Sequence, residues 1–155
     1  MKETTCKTIK DIDIHETSIS KPILKWVGGK TQIINKIINE FPIEINNFHD
    51  IFLGGSSVLL ALLSYVKNGF IKINGKVYAY DLNEPLIYTY KNIQTNHNIL
   101  FNEIQKIITE FNSCGDGTIN RKPTDINEAK IAKENYYYWI RSKYNKLSDS
   151  DKKSV

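Results

Sequence analysis

The sequence lacks most features that would place it outside the ordinary soluble proteins. It has two cysteines, Cys6 and Cys114, and no CxxC pair. That count excludes a disulfide scaffold and reads as two reduced thiols in an intracellular protein. The three histidines, His15, His49 and His97, do not cluster in sequence, so no metal site is expected. The longest apolar run, 58–63, is too short to cross a bilayer, so no membrane association is expected. The opening residues 1–13 are polar and mixed in charge and do not read as a secretory signal. Charge of one sign is also scarce: 21 basic against 17 acidic side chains leave a net +4. Such a balance permits a polyanionic partner without arguing for one. Four prolines are present, Pro22, Pro42, Pro85 and Pro123, and no two are adjacent.

What is present fits one soluble, intracellular domain: 155 residues, 41% apolar and 25% charged. Residues 1–20 show no periodicity and read as a loose arm. Ile33, Ile34, Ile37, Ile38 and Phe41 have helical spacing, which predicts a helix over 31–41. Residues 48–53 read as a buried strand, and Gly54-Gly55 turns it. A helix follows over 58–67, capped by Ser56 or Ser57 and ended by Gly69. Asn74-Gly75 predicts a hairpin between strands 70–73 and 76–80. Helices are expected over 84–94, with Pro85 in the first turn, and over 99–111. A loop over 112–124 then leads into one long helix over 127–147 and a polar connection at 148–155.

Strand, glycine turn, helix, strand and a following acid form the opening of a doubly wound α/β domain. Two main strands do not complete a sheet of about five or six, and an uncovered edge would need a partner.

Three short segments carry the chemistry: Lys25-Trp26-Val27-Gly28-Gly29-Lys30, Phe52-Leu53-Gly54-Gly55-Ser56-Ser57 and Tyr80-Asp81-Leu82-Asn83. A glycine turn leaves backbone amides at a helix N-terminus, where a ligand can approach closely. Asp81, at the end of the next strand, can accept the hydroxyl protons of a ribose. Equally, these residues can be a tight turn followed by a helix cap. Gly29-Lys30-Thr31 has the ending of a phosphate-cradling loop, but Leu24 stands where that loop needs glycine.

Taken in order, these segments resemble the motifs of the D12 class (Dam family) of adenine-N6 DNA methyltransferases. Leu24 to Lys30 is similar to the opening motif, Phe52-Leu53-Gly54 to Phe-x-Gly, and Asp81-Leu82-Asn83 to Asp-x-Asn. Tyr137-Tyr138-Trp139-Ile140-Arg141 through Asn145 resembles the family's Tyr-Tyr-x-x-Arg helix. The resemblance implies a partial Rossmann-like methyltransferase fold using S-adenosylmethionine, with double-stranded DNA as partner. It divides the chain into an arm (1–20), the first part of a methyltransferase domain (21–112) and the start of a target-recognition segment (113–155). It assigns Trp26 and Lys30 to cofactor contact, Asp81 to the ribose, Phe52 and Gly54 to the pocket wall, and Asp50 to the methionine ammonium. Bland readings stand beside these: Trp26 as core, Lys30 as solvated, Asp81 as a helix cap, and Tyr136 to Trp139 as one buried helix face.

Ile51 and Ser56 depart from the family pattern, where proline and glycine are usual. Ser56 adds a Cβ and a hydroxyl close to the expected ligand path. The larger departure is Asp/Asn-Pro-Pro-Tyr, which in the family positions the flipped adenine and its amine. With no adjacent prolines that motif is absent, so no catalytic residue is assigned, and little or no methyl transfer is expected from the chain alone. A separate chain carrying the motif is one expected partner. A non-catalytic S-adenosylmethionine-binding or regulatory module is the alternative, and a nucleotide hydrolase the least favoured.

Overall fold

The computed structural model describes residues 7–12, 18–148 and 150–153. Cys6, His15 and much of the expected arm lie outside the described residues, as does the tip of the polar connection at 154–155. The chain forms two compact units, Met1–Leu82 and Asn83–Val155, and the fold is a mixture of helices and short parallel strands.

The first unit is a strand–helix–strand crossover. A 3₁₀ turn at Thr31–Ile33 leads into α1 (Ile34–Asn39). The strands β1 (Glu44–Ile45) and β2 (Phe48–Asp50) follow, then α2 (Ser57–Lys67), then β3 (Lys72–Ile73) and β4 (Val77–Ala79). β1 pairs with β3, and β2 with β4, both in parallel. The register steps from Ile45↔Ile73 to Phe48↔Val77. Asn46-Asn47 on one side therefore faces Asn74-Gly75-Lys76 on the other, a bulge with one extra residue on the second strand.

The expected Asn74-Gly75 hairpin is thus not formed, because β3 and β4 pair with earlier strands and not with each other. Hydrogen bonds carry the ladder across the bulge: Asn74 N–H donates to Ile45 O at 2.9 Å, Lys76 N–H to the Asn47 side chain at 2.9 Å, and Phe48 N–H to Lys76 O at 2.9 Å. Glycine is required at position 75 because a Cβ there would collide with Asn46 O and Asn47 Oδ1.

The core of this unit joins Ile34 and Ile38 of α1 to Ala61, Leu62 and Tyr65 of α2, with Ile71 from the approach to β3. Ile9 completes it and is 2% exposed. Its N–H donates to Phe41 O at 2.9 Å, and Thr8 bridges Pro42. The expected loose arm is therefore docked at Ile9, whose burial offsets the ordering cost of residues 7–12.

In the second unit α3 spans Glu84–Thr95 and α4 His97–Asn112. Asn83 caps α3, its side chain accepting from Leu86 N–H at 3.1 Å, and Pro85 sits in the first turn. The expected apolar face of α4 exists, but no residue of that helix is buried. The long helix expected over 127–147 is broken into α5 (Ile126–Lys130) and α6 (Lys133–Lys146). Gly115 and Gly117 of the preceding loop donate to the carbonyls of Lys130 and Ile131 at 3.0 and 2.9 Å. Ala132 is extended and bridges Asp116, which breaks the helical ladder there.

Asn135, fully buried, ties down the same loop, accepting from Asn120 N–H at 2.7 Å and donating to Thr118 O at 3.1 Å and Glu128 O at 3.2 Å. Tyr136 is core, and its hydroxyl donates to Glu110 at 2.6 Å. Tyr137 is exposed.

Candidate cofactor cleft

β2 ends at Asp50, and the chain turns sharply through Ile51 and Phe52 before entering α2. These two residues were expected inside a buried strand. They are instead 62% and 85% exposed, because pairing stops at Asp50 and the turn carries them to the mouth of a cleft. Leu53 returns to the core and donates its N–H to Tyr80 O at 2.9 Å. The cleft encloses about 770 Å³. Trp26, Lys30, Asp50, Phe52, Gly54 and Asp81 all line it. Six residues drawn from three distant segments thus share one concave surface.

Three contacts hold the segments together. The Trp26 indole lies on the glycine turn: a Cβ at Gly54 would come within 3.0 Å of Trp26 Cδ1, and one at Gly55 within 3.0 Å of Trp26 Cβ. Gly54 N–H donates to Asp81 Oδ2 at 2.9 Å. Lys30 N–H donates to Ser57 Oγ at 3.1 Å. Trp26 is 38% exposed, a cleft wall and not a core side chain. Asn83 caps α3 by accepting from Leu86 N–H, and the Asp81 carboxylate clasps the glycine turn. The Gly54 amide, expected to face a ligand, is engaged by that carboxylate. Lys30 folds its ammonium onto Gly28 O at 2.8 Å.

Asp50 is the electrostatic oddity. Its Oδ2 is buried without a hydrogen-bond partner. Burial pushes its carboxyl above the usual range, the Phe52 backbone N–H opposes this, and the Asp81 charge adds to it. An orphaned carboxylate oxygen in a cleft, beside a second carboxylate, marks Asp50 as a candidate functional group.

Ser56, which with Ser57 was a candidate cap for α2 and was expected close to the ligand path, does not cap the helix. It is 1% exposed, makes no capping bond and does not border the cleft. Ser57 and His49, neither assigned to the cofactor by the motifs, also line the cleft. Ser57 had a signal, since it opens the helix that follows the glycine turn. His49 follows only from the β2 register. Among the described residues, no group of three or more His, Cys, Asp or Glu is placed to hold a metal ion. No helix among them is long and apolar enough to cross a membrane.

The family model described as D12 class N6 adenine-specific DNA methyltransferase matches residues 26–155. The chain belongs to this family. Among curated relatives, the type II methyltransferase M.MjaIII of Methanocaldococcus jannaschii is 34% identical over 131 residues, covering 81% of this chain and 38% of the relative. The modification methylase StsI of Streptococcus sanguinis is 29% identical over 113 residues, covering 70% of this chain and 16% of the relative. This D12 chain therefore spans well under half the length of either relative. No solved structure matches it at a comparable level.

Proposed function

We propose that this chain is the cofactor-binding portion of a DNA adenine-N6 methyltransferase, with a partial Rossmann-like fold that holds S-adenosylmethionine. The observation that carries the reading is the convergence of all six residues assigned by the resemblance on one cleft with two carboxylates. The cleft suits this ligand chemically. Asp50, with an orphaned oxygen, would take the ammonium, and Asp81, held by the Gly54 amide, would face the ribose. Trp26 and Phe52 offer aromatic surface to adenine or to the sulfonium. When bound, S-adenosylmethionine supplies an electrophilic methyl group. The chain's own residues bind and orient it and acquire no bond to it. A volume of about 770 Å³ accommodates a ligand of that size.

Double-stranded DNA is the proposed substrate, with 113–155 as the start of its recognition segment and the cell interior as its place of action. With no adjacent prolines, this sequence holds no Asp/Asn-Pro-Pro-Tyr segment to present a flipped adenine. Methyl transfer then needs a polypeptide that supplies it, such as a separate chain. Calorimetry tests the reading: S-adenosylmethionine should release or absorb heat with one-to-one stoichiometry, and ATP with Mg²⁺ should give none. The reverse pattern would replace the methyltransferase reading with nucleotide hydrolysis.

A further inference from the structure

The first two motif segments are joined by a side chain that neither motif reading uses. Ser57 opens α2 and is nearly buried, and its Oγ accepts the Lys30 N–H at 3.1 Å. The hydroxyl does not cap its own helix, whose N-cap position, Ser56, also makes no side-chain cap. The segment from Lys25 to Lys30 otherwise bonds largely to itself: Gly29 N–H donates to Trp26 O at 3.2 Å, and Lys30 Nζ to Gly28 O at 2.8 Å. Those bonds set its shape but do not attach it to the body.

Attachment comes from Trp26 resting on Gly54-Gly55, a contact without direction, and from the Ser57 bond, which has one. A second cleft of about 560 Å³, lined by Lys21, Pro22, Thr31 and Gln32 among others, shares residues with the first. Trp26, Gly28 and Gly29 of the strap and Gly55 and Ser57 of the turn border both clefts, so the strap has open space next to it to move into.

We infer that Ser57 is a positioning residue: it latches the Lys25–Lys30 strap to α2 and so holds Trp26 over the glycine turn. Part of the consequence, tighter S-adenosylmethionine binding, rests on the function proposed above. The latch itself does not. Without the bond, the Trp26 ring samples the second cleft, and the cofactor wall must be re-formed on binding.

The test uses a Trp139→Phe background, in which Trp26 is the single tryptophan of the two in the sequence. Acrylamide quenching is measured on the ligand-free protein. Ser57→Ala should raise the quenching constant about twofold by loosening the strap, and Ser57→Thr should restore it. Ser57→Cys keeps the volume with a weak acceptor, and should loosen the strap even if the alanine variant folds poorly. S-adenosylmethionine affinity should fall about three- to tenfold in Ser57→Ala, the worth of one hydrogen bond. Unchanged quenching in both the alanine and cysteine variants would overturn the latch. Raised quenching in a protein that binds no S-adenosylmethionine would keep the latch and remove the proposed function instead.

Discussion

Ser56→Gly should stabilise the protein and leave its ligand affinity alone. Ser56 is the single described non-glycine residue with positive φ, at φ 58° and ψ 23°. An L residue in that left-handed well costs about 1 kcal/mol relative to glycine. Its hydroxyl is buried without a partner, and removing such a group recovers about 1–3 kcal/mol. Against this, glycine adds freedom to the unfolded chain, and the lost Cβ leaves a small void, together about 1 kcal/mol. The net is about 1–3 kcal/mol, which in a chain of this size raises Tm by about 2–12 °C. Thermal unfolding followed by circular dichroism reads that shift directly. A Tm that stays put or falls would refute the assignment of Ser56 as a strained, unsatisfied position. Because Ser56 does not border the cleft, calorimetry should give the same S-adenosylmethionine Kd within about twofold. A tightening beyond that would mean that the serine reaches the ligand after all.

Other substitutions probe the cleft and the second core. Gly54→Ala forces a Cβ to within 3.0 Å of Trp26 Cδ1 at a residue with φ +47°, so it should lower Tm by several degrees and weaken cofactor binding about tenfold or more. Asp50 has a carboxyl raised above its ordinary value, so its native state takes up a proton more readily than the unfolded chain, and its burial as an anion is relieved as pH falls. Protonation also removes the charge that would meet an ammonium. Calorimetric affinity should therefore begin to fall on acidification at a higher pH than an ordinary aspartate would give, and Asp50→Asn should bind weakly with that dependence reduced. Tyr136 has a hydroxyl pushed upward, first by burial and then by its bond to Glu110. Its stabilising effect is complete below the ordinary tyrosine range and is lost as pH rises toward the folded value. Tyr136→Phe should cost about 1 kcal/mol at pH 7, read as a lowered urea midpoint.

Local patterns announced the helices well. The apolar residues of α2, Pro85 in the first turn of α3 and the amphipathic spacing of α4 needed no distant partner to be read. The same holds for the three motif segments, whose glycines and acids carry a spacing visible in one dimension. What was not legible depended on long-range pairing. Asn74-Gly75 has local turn chemistry suited to a hairpin, yet β3 and β4 meet the earlier strands, and the glycine instead serves a crowded bulge against Asn46 and Asn47. The run from Asn127 to Leu147 is helical by propensity, and the amides of Gly115 and Gly117, the Asn135 side chain and the Ala132–Asp116 bridge divert the groups that would have continued it. Ile9 gave no periodic signal because one isolated apolar residue docks there. In the cleft, the sequence named residues but not their bonds: that Asp81 clasps Gly54 and Ser57 holds Lys30 follows from the folded turn alone.

The most direct test of the cofactor cleft is a calorimetric titration of the wild-type chain and Asp81→Ala with S-adenosylmethionine, with circular dichroism as a check on folding. Asp81 both faces the proposed ribose position and fixes the Gly54 turn, so its loss removes two supports at once. One-to-one binding by the wild type and an affinity reduced at least about thirtyfold in the variant are the expected results. Equal affinity in the two proteins would contradict the cleft as the cofactor site, and an absence of binding in both would remove S-adenosylmethionine as its ligand.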